Sequence, residues 1–123
     1  MKIIDKLTMF HMAVADVDKS MKFYVETLGF TVTKDSKDFR LGKDRWVSIV
    51  PPGENITINL TNVFENLKPG TMKVYLSTSD VEQAHAELKA KGANPTEIVD
   101  GWGEGKIFTV SDPDGNTLLI VRA

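Results

Sequence analysis

Asp16-Val17-Asp18-Lys19-Ser20 opens an amphipathic stretch that runs to Gly29, and 64 residues later Asp80-Val81-Glu82-Gln83-Ala84 opens another that runs to Gly92. A short strand-like run precedes each, Met9 to Ala15 in the first case and Lys73 to Thr78 in the second. An Asp at such a boundary caps the free N–H groups of a helix, and a Gly ends the helix in the left-handed conformation. The repeated order of strand, cap, helix and Gly is the sign of a duplicated unit. The copies span 13 and 12 residues from Asp to Gly and share no long run of identity.

Working outward, Ile56-Thr57-Ile58-Asn59-Leu60-Thr61 alternates strictly. Ile56, Ile58 and Leu60 then share one face of a strand, and Thr57, Asn59 and Thr61 share the other, which goes to water or ligand. Alternation likewise separates Phe10, Met12 and Val14 from Met9, His11 and Ala13, and Val74 and Leu76 from Lys73, Tyr75 and Ser77. Further strands are expected at Thr31 to Lys34, Arg45 to Val50, Asn94 to Val99, Lys106 to Val110 and Thr117 to Val121, with a charged insert from Asp35 to Asp44. Pro51-Pro52-Gly53 and Asp112-Pro113-Asp114-Gly115-Asn116 read as turns, the second joining the last two strands as a hairpin. The helices carry apolar stripes at Met21, Tyr24, Val25 and Leu28, and at Val81, Ala84 and Leu88. The count is βαβββ, twice.

A chain of 123 residues suits one domain of two half-size modules sharing a core. With no cysteine, thiolate metal sites, iron–sulfur clusters and thiol catalysis are excluded. Fifteen basic against seventeen acidic residues, a formal charge of −2, leave no basic stripe for a nucleic acid. No apolar run approaches the ~20 residues that span a bilayer, and Met1 to Lys6 lacks the apolar core of a signal peptide. The expectation is a cytoplasmic protein with neither nucleic acid nor membrane as partner.

Val14-Ala15-Asp16-Val17-Asp18-Lys19-Ser20, with Phe23-Tyr24, Leu28-Gly29-Phe30 and Asp112-Pro113-Asp114-Gly115-Asn116, resembles the vicinal oxygen chelate superfamily over nearly the whole chain. That superfamily includes glyoxalase I, bleomycin-resistance proteins, fosfomycin-resistance enzymes and extradiol dioxygenases. The resemblance implies an α+β fold in which two βαβββ modules, about 5–63 and 71–123 of a single domain, form a curled mixed sheet around a cavity, usually in a homodimer. It does not settle function, because one fold hosts many chemistries.

In catalytic members, the resemblance implies, His or Glu side chains from four strands hold a metal. Seven residues before Asp16, the first position falls on Met9, and the others fall on Asn59, Lys73 and Leu119. A thioether, an uncharged amide, an ammonium and an alkyl group make a poor site for a hard cation. The neighbours on the same faces, Thr71, Tyr75, Thr117 and Val121, add neither His nor carboxylate. No metal and no cofactor are expected.

His11 lies two residues beyond the first position on the same strand face. By resemblance to the fosfomycin enzymes that position touches substrate, so His11 is either a hydrogen-bonding group or general base, or a satisfied interior histidine. His85 sits beside the apolar stripe of the second helix, as packing. Gly101-Trp102-Gly103-Glu104-Gly105 has no following helix to make it a phosphate cradle, and reads as a rim or hairpin turn bearing an indole. Neither a nucleophile elbow nor a Ser-His-Asp set is present.

The pocket expected from these readings is lined by Met9, Trp46, Trp102, Phe108 and Leu119, with His11, Asn59, Thr61 and Lys73 as polar groups. It suits a small organic, partly aromatic ligand, bound without a metal as in drug-sequestering resistance proteins. Cationic bleomycin fits less well, given the modest net charge and an inward Lys73. The alternative is a metal-dependent glyoxalase-like lyase, isomerase or dioxygenase with relocated ligands, so whether a reaction is catalysed stays open.

Overall fold

Strand, helix and three further strands follow one another in both halves. The first half is β1 (Met9–Ala13), α1 (Val17–Lys22), β2 (Thr31–Asp38), β3 (Asp44–Val50) and β4 (Thr57–Thr61). The second is β5 (Lys73–Thr78), α2 (Val81–Ala90), β6 (Val99–Asp100), β7 (Lys106–Ser111) and β8 (Thr117–Arg122). The structure, a computed structural model, describes residues 3–38, 44–62, 67–101 and 105–122. It divides into two units, Met1–Lys68 and Pro69–Ala123. Each holds one four-stranded mixed sheet, in the orders β1-β4-β3-β2 and β5-β8-β7-β6. In each, the first strand runs parallel to the last and the remaining pairs are antiparallel. A parallel neighbour needs a long crossover, and here the crossover is a helix and two strands.

Both predicted caps form. Asp16 accepts from Lys19 N at 3.1 Å and Asp80 from Gln83 N at 3.0 Å, each from an extended backbone, an arrangement worth about 1 kcal/mol apiece. The first helix departs from a single regular stripe. After Lys22 it widens into a π-helical segment, Phe23–Thr27, closed by Leu28 N donating to Phe23 O at 3.2 Å. Of Met21, Tyr24, Val25 and Leu28, only Tyr24 is fully buried, and Val17 and Ser20 join it. The wider turn re-aims the following side chains, and Tyr24 donates its hydroxyl to Met12 Sδ at 3.3 Å under the sheet.

In the second unit Val81 and Leu88 are the buried residues of α2, while Leu118, Ile120, Phe108 and Val110 form a core on one sheet face. The sheets differ from expectation at two edges. Strand β2 continues into the supposed insert as far as Asp38, and residues 39–43 lie outside the described ones. The strand expected from Asn94 to Val99 is regular only at Val99–Asp100. Asn94 takes φ 54, a left-handed conformation that Asn tolerates. Thr96 still holds to β7, but its hydroxyl replaces one backbone rung by accepting from Thr109 N at 2.8 Å. Among the described residues no helix is long and apolar enough to cross a membrane.

The Asp112 to Asn116 turn is closed by side chains. Asp112 accepts from Asp114 N (3.0 Å), Asn116 N (2.9 Å) and Asn116 Nδ2 (2.8 Å). Asn116 Oδ1 in turn accepts from Met72 N at 2.9 Å, which ties the β7–β8 hairpin to the start of β5. Gly70 passes so close that a Cβ there would lie 2.2 Å from Asp114 O, at φ +84. Asn116→Ala leaves two of these buried groups without their partner, so it is expected to lower stability by about 2 kcal/mol in urea unfolding. Gly70→Ala should destabilise by a clash with backbone that cannot move aside.

Candidate functional site

Pairing registers decide which side chains share the sheet face opposite α1 in the first unit. His11, Asn59 and Ser48 form one row across β1, β4 and β3, and Ala13, Thr61 and Trp46 form the next, with Met9 beside Thr57 at the near end. Met12, Leu60 and Val47, with Phe10, Ile58 and Ile49, fill the rows of the other face. Of the expected pocket residues, the structure therefore brings together Met9, His11, Trp46, Asn59 and Thr61.

Of the two destinations expected for this polar face, water or ligand, Asn59 and Thr61 do not open to water: both are buried, at 0% exposure. The reason is geometric. Adjacent strands lie about 4.8 Å apart, so β1 and β3, flanking β4, stand roughly 10 Å from each other. Yet the rings of His11 and Trp46 meet edge to face with centroids 5.0 Å apart, so they lean inward and cover the strand between them. Met9, 48% exposed, supplies the rest of the cover at the open end.

A hydrogen-bond chain runs beneath this cover. Trp46 Nε1 donates to Ser48 Oγ at 3.1 Å, Ser48 Oγ donates to Asn59 Oδ1 at 2.6 Å, and Asn59 Nδ2 donates to Met9 Sδ at 3.3 Å. This direction bonds the amide at both ends. An indole N–H can only donate, so Ser48 must accept it, and the single hydroxyl hydrogen of Ser48 is free for the amide. A thioether has no hydrogen to give, so the amide nitrogen faces Met9 and its oxygen takes the Ser48 hydrogen. Ser48 was not among the residues singled out in the sequence, although its place two residues from Trp46 on an alternating strand puts both on one face.

Arg45 anchors the start of β3 on the helix side. It donates to Asp35 Oδ1 and Oδ2 at 3.3 and 3.0 Å and makes a short contact with Asp18 in the first turn of α1. Hydrogen bonds to Asp35, then Asp18, raise its pKa above the ordinary value. The carboxylates are partly solvated, so each pair contributes no more than about 1 kcal/mol. Its role is to hold the strand that carries Trp46 and Ser48.

The other expected residues lie apart from this cluster. In the second unit Lys73 pairs with Thr117, and Leu119 lies between Tyr75 and Thr109, on the face opposite the core. Lys73 and Tyr75 are exposed there. Phe108 is on the core face instead, 1% exposed and edge-on to His85 with centroids 5.0 Å apart. Its alternation with Thr109 turns it toward α2, which corrects its assignment to a pocket lining. His85 Nε2 lies 2.9 Å from Thr96 O, so this histidine packs. Trp102 lies outside the described residues. A cleft of about 440 Å³ bordered by Ser79, Asp80, Val81, Glu82, Lys106 and Arg122 is self-neutralising: Lys106 pairs with Glu82 at 3.3 Å, and Asp80 caps the helix end. Glu82 is held below its ordinary pKa by its own backbone N–H and by Lys106.

A metal of the kind implied by the family resemblance does not fit these residues. Asn59, the one oxygen donor among the four positions, has its oxygen turned to Ser48 and its nitrogen turned toward Met9. Among the described residues no group of three or more His, Asp or Glu side chains is placed to hold an ion.

Residues 4–120 match the family described as the Glyoxalase/Bleomycin resistance protein/Dioxygenase superfamily. Among solved structures, the chain is similar to TnmS3, an antibiotic binding protein from Streptomyces sp. CB03234. The two are 31% identical, cover 99% and 98% of the respective chains and superpose with a TM-score of 0.84. A glyoxalase/bleomycin resistance protein from the same Streptomyces strain is 30% identical over 94% of this chain and 98% of that one, with a TM-score of 0.78. The Bacillus subtilis protein YurT is 28% identical over 95% of this chain and 98% of its own.

Ser48→Ala breaks the chain at its centre, leaving the indole N–H and the Asn59 oxygen without the hydroxyl. The expected result is a loss of about 1–3 kcal/mol in urea unfolding, with a change in tryptophan emission of the folded protein.

Proposed function

The chain belongs to the Glyoxalase/Bleomycin resistance protein/Dioxygenase superfamily, and on that premise we propose that it is a metal-independent binding protein for a small organic, partly aromatic molecule. One observation carries this reading: the residue at the second metal position, Asn59, points its oxygen at Ser48 and its N–H groups at Met9. A site of that polarity repels a cation. What it offers a ligand is the half-buried indole of Trp46, the ring of His11, a flexible thioether at Met9 and a small set of oriented polar groups. Apolar and aromatic surface with few directed hydrogen bonds is the usual make-up of an organic-ligand site.

The similarity to an antibiotic binding protein at 31% identity supports the same reading. It includes a single domain made of both modules, acting as a homodimer, which light scattering on the purified protein tests.

The function is tested by metal loading. After incubation with zinc, nickel, manganese and iron(II) followed by dialysis, elemental analysis is expected to find well under one bound ion per chain. Near one equivalent, lost in His11→Ala, would overturn the proposal in favour of a metal-dependent lyase, isomerase or dioxygenase.

A further inference from the structure

The direction of the Trp46–Ser48–Asn59 chain specifies more than the rejection of a metal. Its two ends set the direction, an indole that can only donate and a thioether that can only accept. The last group, Asn59 Nδ2, has hydrogens to give, and the atom that receives one is a thioether sulfur at 3.3 Å. Sulfur is a weak acceptor, and its side chain is flexible and about half exposed. A carbonyl oxygen arriving from solvent at the same point is the stronger partner, and Met9 can swing aside without disturbing the backbone ladder that pairs it with Thr57.

Resting on the binding function proposed above, we infer that Asn59 is the residue that selects the ligand, and that it selects an uncharged acceptor oxygen on an aromatic framework. The class is an aryl ketone, ester or amide. The carbonyl takes the amide hydrogen that Met9 Sδ holds in the free protein, and the attached ring lies beside Trp46 and His11. Reversing Asn59 to serve a donor ligand would take from the Ser48 hydroxyl hydrogen the amide oxygen that accepts it, so the site favours an acceptor.

The test compares two probes of nearly equal shape, 2-acetylnaphthalene and 2-isopropenylnaphthalene, which differ by C=O in place of C=CH₂. Each is titrated at up to millimolar concentration into ¹⁵N-labelled protein while the Asn59 side-chain amide and the Trp46 indole are followed by NMR. The expected result is that both probes move the indole signal, only the ketone moves the Asn59 amide, and the ketone binds about tenfold tighter, the worth of one net hydrogen bond. Asn59→Asp, which keeps an oxygen for Ser48 but removes the N–H groups, should abolish the preference. Met9→Leu removes the competing sulfur, which lowers stability by leaving the Asn59 N–H without it, and should widen the preference in the folded protein. Equal affinities with both probes shifting the indole would overturn the selection by Asn59 while leaving the binding function standing. No shift with either probe would overturn both.

Discussion

A buried amide has to be satisfied at both ends, and in the first unit that demand organises everything on the face away from α1. Asn59 sits on β4 between two other strands, fully enclosed. Leaving either of its ends unpaired would cost about 1–3 kcal/mol. Its oxygen is met by Ser48 from β3 and its nitrogen by Met9 from β1, so one side chain sets the orientation of residues on both neighbouring strands. Ser48 in turn fixes the Trp46 indole, and the indole meets His11 across the strand. Arg45 secures β3 from the opposite side.

The same constraint accounts for the chemistry. The groups on this face of the first unit are a thioether, an amide whose nitrogen faces Met9 and two rings in edge contact. Their common property is directed polarity over a largely apolar surface, the ground on which binding of an organic molecule is proposed.

Much of the fold was legible in the sequence because the signals were local. The Asp caps, the terminal glycines and the Asp112 to Asn116 turn each act within a few residues, and the structure shows them closing the hydrogen bonds that their chemistry predicts. Alternation on β4 correctly sorted Asn59 and Thr61 from Ile58 and Leu60. It could not show that both faces are buried, since the cover comes from rings on strands distant in sequence. Phe108 was misplaced because period-two alternation names two faces without saying which one meets the helix. Ser48 was passed over because a serine on an alternating strand carries no signal by itself. Only its position between Trp46 and Asn59 across two strands makes it the pivot. The π-helical turn at Phe23–Thr27, which contains the buried Tyr24, also had no sequence signature.

The most direct measurement of the central claim is hydrogen exchange at the Trp46 indole N–H, compared between the native protein and Ser48→Ala. The account predicts an indole proton that exchanges at least about tenfold more slowly than a free indole, as closed hydrogen bonds do, and that loses this protection in Ser48→Ala while the amide protons of β3 and β4 keep theirs. An indole that exchanges freely in the native protein, or that keeps its protection without Ser48, would contradict it.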